Sequence, residues 1–174
     1  MGQYAFNLDC DQTYKILGSK PDYKDALITL KTTNEPDKVH NGDLSLIPLI
    51  NYNEIVINPI FFNFDKWDIR PDAAYELENI VSVMREHPNM VIKIESHTDS
   101  RGSDSYNMKL SDRRAKSTRE YLYSRNIAKH RIESAIGYGE SQLVNKCSNG
   151  VKCTEEEHQE NRRSKFIIIS DIEE

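Results

Sequence analysis

Hydrophobic positions along the chain follow two kinds of repeat, and the change between them divides the sequence. Up to about residue 50, short stretches alternate apolar and polar residues between Pro, Gly, Asn and Asp, which indicates roughly four β-strands. These stretches are QYAFNLD, TYKILG, ALITLKT and DLSLIPLI. About 50 such residues make a marginal domain alone. Because the alternation is already under way at Tyr4, we expect this segment to be the end of a β-sandwich in a longer protein.

From Glu54 onward, the pattern predicts strands that alternate with helices. EIVINPIFFNFD predicts a strand interrupted at Asn58–Pro59, because proline cannot donate a hydrogen bond to a sheet. A helix with Pro71 near its start follows, and Pro88 ends it. The apolar residues that recur at helical spacing in it are Ala74, Leu77, Ile80, Val81 and Met84.

The alternation then repeats. MVIKIESHTD predicts a strand, and the helix after Gly102 takes Ser103 as its N-cap. The apolar stripe of that helix is Tyr106, Leu110, Tyr121 and Leu122. A third strand is predicted from Ile132 to Tyr138, TEEEHQENRR starts a short acidic helix, and KFIIIS is a last strand. The order β-α-β-α-β-(α)-β predicts an α/β sandwich in which helices pack on one face of a mixed β-sheet, so we divide the chain into 1–50 and 51–174.

Charge and hydropathy exclude two classes of protein. A net charge of −5 and a pI near 5.6 argue against a nucleic-acid-binding chain, which needs a basic face. The most basic stretch, RRAKSTREYLYSR, interleaves acidic residues with its arginines, which is typical of a solvated helix face. Apolar runs also stay far below the ~20 residues of a membrane span, so we expect no direct span in this chain.

Three cysteines suggest a disulfide. Cys147 and Cys153 bracket SNGVK, in which Asn149–Gly150 is a turn signal that can bring the two sulfurs together. The alternative is a zinc site that adds His158, but zinc-binding cysteine pairs are usually two to four residues apart and here five intervene. A disulfide would indicate an oxidising compartment such as the periplasm. We expect Cys10 to be a buried small hydrophobic residue.

Asp99 and Arg114 are the residues whose placement asks for a chemical explanation. Asp99 lies where a predicted strand ends, and a helix sets Asn107, Leu110 and Arg114 on one face that overlaps its apolar stripe. One interpretation is a structural salt bridge between Asp99 and Arg114. The other is a pair that binds a zwitterionic ligand, with Asp99 taking an ammonium and Arg114 a carboxylate.

An enzyme is a weaker interpretation. His97 and Asp99 lie two residues apart on a strand and could form an acid–base pair, but no nucleophile motif accompanies them. Asp65 and Asp68 near Glu95 could imitate a glycosidase carboxylate pair, although solvated loop charges explain them more simply. We therefore expect a binding module without enzymatic activity, cofactor or metal.

Four motifs in order carry a resemblance to a known family: FFNFDKWDIRPDA, HTDSRGSDSYNMKLSDRRA, GYGE and NRR. From about Ile55 to Ser170, the sequence resembles the OmpA-like C-terminal domain. This implies noncovalent binding of peptidoglycan through the diaminopimelate of its stem peptide, with Asp99 and Arg114 gripping that group. Family positions that line or brace the pocket correspond to Asn107, Leu110, Asn161, Arg162, Phe64 and Asp65.

The loop NKCSNGVKCTEEEHQENRR resembles the form of this domain found in envelope proteins of gliding, type IX secreting bacteria. There the domain follows a carboxypeptidase-regulatory-like β-sandwich, which residues 1–50 resemble weakly. The resemblance implies a periplasmic cell-wall anchor associated with the outer membrane, and outer-membrane or secretion-complex proteins as partners. The alternative is a structural or protein-interaction domain of an envelope complex whose pocket is vestigial.

Overall fold

The computed structural model of the chain describes residues 3–63 and 66–169. The chain divides into two compact units, Met1–Pro48 and Leu49–Glu174, a break two residues before the predicted boundary. The identity of the first unit as the end of a carboxypeptidase-regulatory-like sandwich stays a prediction.

The first unit holds two small antiparallel sheets. Strand β1 (Thr13–Gly18) pairs with β3 (Ala26–Lys31), and β2 (Tyr23–Lys24) pairs with β4 (Ile47–Pro48). Along β1 and β3, exposed and half-buried side chains alternate, as the sequence pattern predicts for strands with one covered face. The strands predicted from TYKILG and ALITLKT are therefore present.

Two predictions for this unit are wrong. Residues 3–9 form no strand. Instead, the ring centroids of Tyr4 and Phe6 lie 5.5 Å apart, and the Tyr4 hydroxyl donates to the Gly42 carbonyl. The aromatic residues of this segment therefore contact each other and a loop. Cys10 is exposed rather than buried, because it lies at a turn just before Asp11, whose φ is 52°.

A five-stranded mixed sheet forms the centre of the second unit. Its strands are β5 (Ile50–Asn51), β6 (Glu54–Ile55), β7 (Ile92–Ser96), β8 (Ile132–Gly137) and β9 (Ser164–Ile168). Their spatial order is β5-β6-β9-β7-β8, in which β7 and β8 run parallel and β9 is antiparallel to both β6 and β7. The last strand of the five thus lies in the middle of the sheet.

The strand predicted from Glu54 to Asp65 is mostly wrong. Of the described residues 54–63, only Glu54–Ile55 pairs with β9 and residues 56–63 are irregular, while residues 64–65 of the predicted strand lie outside the described residues. Pro59 cannot donate to a ladder, and the pairing of β6 with β9 stops at Ile55 and Phe166. Ile60 nonetheless packs into the core, which explains the apolar signal.

Three α-helices complete the described part of this unit: α1 (Pro71–Glu86), α2 (Asp104–Ser124) and α3 (Glu155–Asn161). Ser103 caps α2 as predicted, since its hydroxyl oxygen accepts a hydrogen bond from the Tyr106 amide at 3.3 Å. Helix α1 joins β6 to β7, and α2 joins β7 to β8. The predicted mixed α/β fold is confirmed. None of the helices in the described residues combines the length with the apolar character that a membrane span needs.

One hydrophobic core joins α1, α2 and the sheet. Leu77, Ile80 and Met84 of α1 pack with Ile94 of β7 and Phe166 of β9, all fully buried. The predicted face of α1 is shifted slightly, because Ala73 and Val83 are buried whereas Ala74 is only half-buried.

Gly137 determines how closely α2 approaches the end of β8. A Cβ atom at this position would lie 2.0 Å from the backbone nitrogen of Asp112 and 2.3 Å from the carbonyl carbon of Ser111. The Ser111 hydroxyl also accepts a hydrogen bond from the Gly139 amide at 2.8 Å. Glycine at this position is therefore required for the helix backbone to lie against the strand.

We predict that Gly137→Ala lowers the free energy of unfolding by about 3 kcal/mol or more, because the atoms a methyl group would meet are helix backbone and cannot rotate away. Urea unfolding followed by circular dichroism measures the effect. Ser134→Ala, a half-buried change on the same strand, serves as the control and should cost far less. Equal stability of the two variants would contradict the close approach.

Candidate ligand-binding site

The site lies in the loop that follows β7. The His97 amide donates to the Arg163 carbonyl at 2.9 Å, and the Thr98 amide donates to the Gly139 carbonyl at 2.9 Å. These two bonds tie the start of the loop to the segments beside β9 and β8. The loop ends at Gly102, whose φ of 110° suits glycine. Asp99 is thereby held at the end of a central strand.

The Asp99 carboxylate is buried against two arginines. Its side chain is 8% exposed. Oδ1 accepts a hydrogen bond from the Arg101 amide at 3.0 Å, and Oδ2 accepts one from Arg101 Nη2 at 2.8 Å and one from Arg162 Nη1 at 2.5 Å. The sequence suggested a structural salt bridge between Asp99 and Arg114. In the described residues, Asp99 forms its ion pairs with Arg101 and Arg162 instead.

Glu155 completes a network of two carboxylates and two guanidinium groups. Its side chain lies 2.9 Å from Arg101 Nη1 and 2.6 Å from Arg162 Nη2. Burial would raise the pKa of Asp99, but hydrogen bonds from Arg101 and Arg162 outweigh it and hold the pKa below its ordinary value. The hydrogen bond to Asp99 raises the pKa of Arg101 in turn. Asp99 is therefore ionised at neutral pH.

Asn107 fastens the Asp99 loop to α2. Its side-chain amide nitrogen lies 3.2 Å from the carbonyl oxygens of both Asp99 and Arg101, and 2.5 Å from Glu140 Oε2. The other oxygen of Glu140 accepts a hydrogen bond from Asn149 at 2.6 Å. Asn107 is 2% exposed, so it braces the loop from within the fold.

Arg114 lies two helical turns beyond Asn107 and is 8% exposed. Its Nε donates to the Lys66 carbonyl at 3.2 Å, and its guanidinium carbon lies 4.8 Å from the centroid of the Phe62 ring. These contacts fix the plane of the guanidinium group. Leu110, on the intervening turn, is 9% exposed.

Phe64 and Asp65, predicted to border the pocket, lie outside the described residues. The residues on either side of them that the structure describes do reach the site. Phe62 stacks on Arg114 and Lys66 accepts its hydrogen bond. A border role for Phe64 and Asp65 stays a prediction.

Helix α3 and the residue after it contribute in different ways. Arg162 contacts the Asp99 carboxylate and also donates from Nε to Gln159 Oε1 at 3.1 Å. Asn161 is fully buried and accepts a hydrogen bond from the Val144 amide at 2.8 Å, while its Nδ2 donates to Asn145 Oδ1 at 2.7 Å. Asn161 therefore braces the loop that precedes α3, whereas Arg162 forms part of the charged network.

The cysteine loop lies against the site. The structure contains the expected disulfide between Cys147 and Cys153, and Cys147 is fully buried. Glu157 lies near both sulfurs, but sulfurs joined in a disulfide are not the thiolates that zinc requires. The Ser100 hydroxyl donates to the Cys147 carbonyl at 2.6 Å in a buried hydrogen bond.

Sequence reasoning missed three residues of the site: Arg101, Glu155 and Glu140. Arg101 lies two residues after Asp99 within the motif already singled out, so its proximity was a usable signal. Glu155 and Glu140 are distant along the chain, at 54 residues from Arg101 and 33 from Asn107. Only the fold brings them to the loop.

Comparison with known proteins places the chain in a family. Residues 61–157, more than half of the chain, match the OmpA family, and the chain belongs to it. It is 37% identical over 109 residues to a peptidoglycan-associated lipoprotein from Rhizobium meliloti, covering 63% of this chain and 58% of that protein. It is 40% identical over 83 residues to outer membrane porin F from Pseudomonas fluorescens, covering 48% of this chain and 25% of that protein. The chain thus spans between a quarter and about three-fifths of these relatives.

Solved structures share the fold at low identity. The peptidoglycan-associated lipoprotein from Burkholderia pseudomallei superposes with a TM-score of 0.55 at 24% identity, covering 63% of this chain and 88% of that one. The C-terminal domain of Helicobacter pylori MotB superposes with a TM-score of 0.56 at 19% identity, and the match covers 67% of this chain and 87% of that one. The cell wall anchor of the type VI secretion system from Pseudomonas aeruginosa superposes with a TM-score of 0.53 at 20% identity, and the match covers 63% of this chain and 75% of that one.

His97, beside the Asp99 loop, is a buried neutral base. Its ring stacks on Tyr138 with 5.6 Å between centroids and is 2% exposed. Neither ring nitrogen has a hydrogen-bond partner in the part of the chain that the structure describes, so His97 is not bonded to the Asp99 carboxylate. Burial, together with the positive charges of Arg163 and Lys165, lowers the pKa of His97 to about 4.

We predict that protonation of His97 weakens the fold in acid. The unfolded imidazole takes a proton below about pH 6.5 while the folded one stays neutral until about pH 4, so stability falls as the pH drops through this window. Between pH 7 and pH 5 the loss should be roughly 2 kcal/mol. Urea unfolding at the two pH values measures it. His97→Phe should remove most of the pH dependence, and a variant of the exposed His130, His130→Gln, should keep it.

Proposed function

We propose that the chain binds peptidoglycan noncovalently through the diaminopimelate of the stem peptide and so anchors an envelope protein or complex to the cell wall. Membership of the OmpA family supports the proposal, as do relatives named peptidoglycan-associated lipoprotein. The observation that carries it is an ionised, buried carboxylate, Asp99, held in a loop braced by the same helix that carries Arg114. A periplasmic location near the outer membrane accords with these relatives and with the disulfide.

Asp99 keeps capacity to accept a ligand ammonium group. A carboxylate offers about four lone-pair sites. In the described residues, Oδ2 accepts from two guanidinium groups, whereas Oδ1 accepts from the Arg101 amide alone. Oδ1 can therefore take an additional N–H, and its ionised state makes that hydrogen bond charge-assisted.

Arg114 supplies the complementary half of the proposal. The Lys66 carbonyl and the Phe62 ring hold its guanidinium plane in one orientation before any ligand arrives. A planar fork that is already oriented recognises a carboxylate through two parallel N–H groups at a lower cost in side-chain entropy. Diaminopimelate carries an ammonium and a carboxylate at its free end, so one ligand can engage Asp99 and Arg114 together.

A specific observation favours the alternative, a structural or protein-interaction domain with a vestigial pocket. Asp99 is already compensated by Arg101 and Arg162, and such a network can exist for stability alone. A thermal shift with free diaminopimelate separates the two, because a ligand that binds only the folded state raises the melting temperature. Attachment to a type IX secretion machine stays a prediction from the sequence resemblance.

We predict that Asp99→Asn weakens binding to purified peptidoglycan by roughly tenfold or more, because a charge-assisted hydrogen bond of about 1.5–3 kcal/mol becomes a neutral one. Asparagine preserves the size of the side chain and one acceptor for the arginines. Cosedimentation with insoluble peptidoglycan measures the affinity. Asp104→Asn, an exposed change in the first turn of α2, removes the same charge and should bind as the wild type does. Wild-type binding by Asp99→Asn would remove the basis of the proposal.

We predict that Arg114→Lys also lowers the affinity roughly tenfold or more while the melting temperature changes little, since lysine keeps the charge and loses the planar fork. Calorimetry with a soluble stem peptide and melting by circular dichroism are measured on the same protein. Arg113→Lys is the matched control, because Arg113 is the neighbouring exposed arginine and its guanidinium carbon lies 4.5 Å from the centroid of the Trp67 ring. Unchanged affinity with a lowered melting temperature would assign Arg114 to the fold instead.

A further inference from the structure

We infer that the Cys147–Cys153 disulfide holds the Asp99 loop in its binding geometry, so that reduction of this bond weakens binding at the site. The inference rests on the proposed function for its ligand. Three separate contacts connect the disulfide loop to Asp99 or to its charged partners, and each passes through a different residue. We define the disulfide loop as residues 147–153.

The first contact is direct. Ser100 follows Asp99 in the chain, and its hydroxyl donates to the Cys147 carbonyl at 2.6 Å. Ser100 is 4% exposed and Cys147 is fully buried, so water does not substitute easily for this hydrogen bond. The backbone position of Cys147 therefore influences the position of Ser100, which is next to Asp99 in the chain.

The second contact runs through the middle of the disulfide loop. Asn149 donates to Glu140 Oε1 at 2.6 Å, and Glu140 Oε2 accepts from Asn107. Asn107 in turn donates to the carbonyl oxygens of Asp99 and Arg101. Displacement of Asn149 would leave Glu140 free to move away from Asn107, which would loosen the brace under the Asp99 loop.

The third contact passes through α3, which starts directly after Cys153. Thr154 caps this helix and Glu155, its first residue, binds both Arg101 and Arg162. Helix α3 has seven residues, far fewer than the ~12–15 that an isolated helix needs, so its position depends on tertiary attachments. The disulfide supplies one of these attachments at its N-terminal end.

Reduction would release all three contacts together. A dithiol reductant gives two electrons and two protons to the Cys147–Cys153 bond, which breaks to two thiols while the reductant closes to its own disulfide. Residues 147–153 then gain conformational freedom, and the binding-competent arrangement of Asp99, Arg101 and Arg162 becomes one of several. We therefore describe Ser100, Asn149 and Glu155 as residues that help to hold Asp99 in position. Ser100 and Asn149 need not contact the ligand themselves.

The experiment compares oxidised and reduced protein in a Cys10→Ser background, so that only one pair of cysteines can react. Mass spectrometry after alkylation verifies each state. Peptidoglycan cosedimentation is measured at a temperature at which circular dichroism shows both states folded, which removes a purely stabilising effect of the bond. If only about one in ten reduced molecules has the Asp99 loop in its binding conformation, the apparent affinity for peptidoglycan falls about tenfold. Cys147→Ser/Cys153→Ser should bind as the reduced protein does.

A second pair of variants tests the direct contact with the disulfide intact. Ser100→Ala removes the hydrogen bond to Cys147 and should weaken binding several-fold, whereas Ser148→Ala changes a serine of the same loop outside these contacts and should not. Hydrogen exchange at the Arg101 amide, which donates to Asp99 Oδ1, should become faster on reduction and in Ser100→Ala.

Equal affinity of the oxidised and reduced proteins, with unchanged exchange at Arg101, would overturn the inference. If the double serine variant does not fold, the comparison of Ser100→Ala with Ser148→Ala decides the question. A failure of the proposed function is a distinct result, because the oxidised wild type would then not bind peptidoglycan at all. The exchange measurement still tests the connection between the disulfide and Asp99 in that case.

Discussion

The second unit is organised around a carboxylate that is removed from water. Asp99 is ionised, yet its side chain is 8% exposed, and a charge in that position needs partners that are themselves held firmly. Arg101 comes from the same loop, but Arg162 comes from the segment that enters β9. The charge at the end of β7 therefore makes the positions of β9, α3 and the disulfide loop depend on one another.

The same constraint explains why buried polar residues cluster on one side of this unit. Asn107, Ser111 and Asn161 are almost completely buried, and each forms a hydrogen bond with the backbone of a loop. Such hydrogen bonds restrict the arrangements a loop can take. The core between α1 and the sheet is apolar and supplies the stability, whereas this polar side gives the loops around Asp99 a defined shape.

Local signals could be predicted from the sequence, and contacts between distant segments could not. The N-cap at Ser103 and the apolar face of α1 depend on residues a few positions apart, so periodicity and capping chemistry reveal them. The Arg162 partner of Asp99 lies 63 residues away, and no local pattern specifies it. The strand expected from Glu54 onward was wrong beyond Ile55 for the same reason, because a strand exists only where a partner pairs with it, and of the described residues 54–63 only Glu54–Ile55 pairs with β9.

The position of β9 in the sheet has a consequence for how the chain folds. This strand comes last of the five in sequence order but separates β6 from β7, and Lys165 forms an ion pair with Glu54 across 111 residues. Closing so long a loop costs entropy before any pairing is gained, so folding is expected to be slow compared with a protein of local contacts. Until β9 is inserted, the edges of β6 and β7 are open. A nascent chain therefore exposes unpaired strands until nearly all of this unit is available, which is when helper proteins that shield such edges matter most.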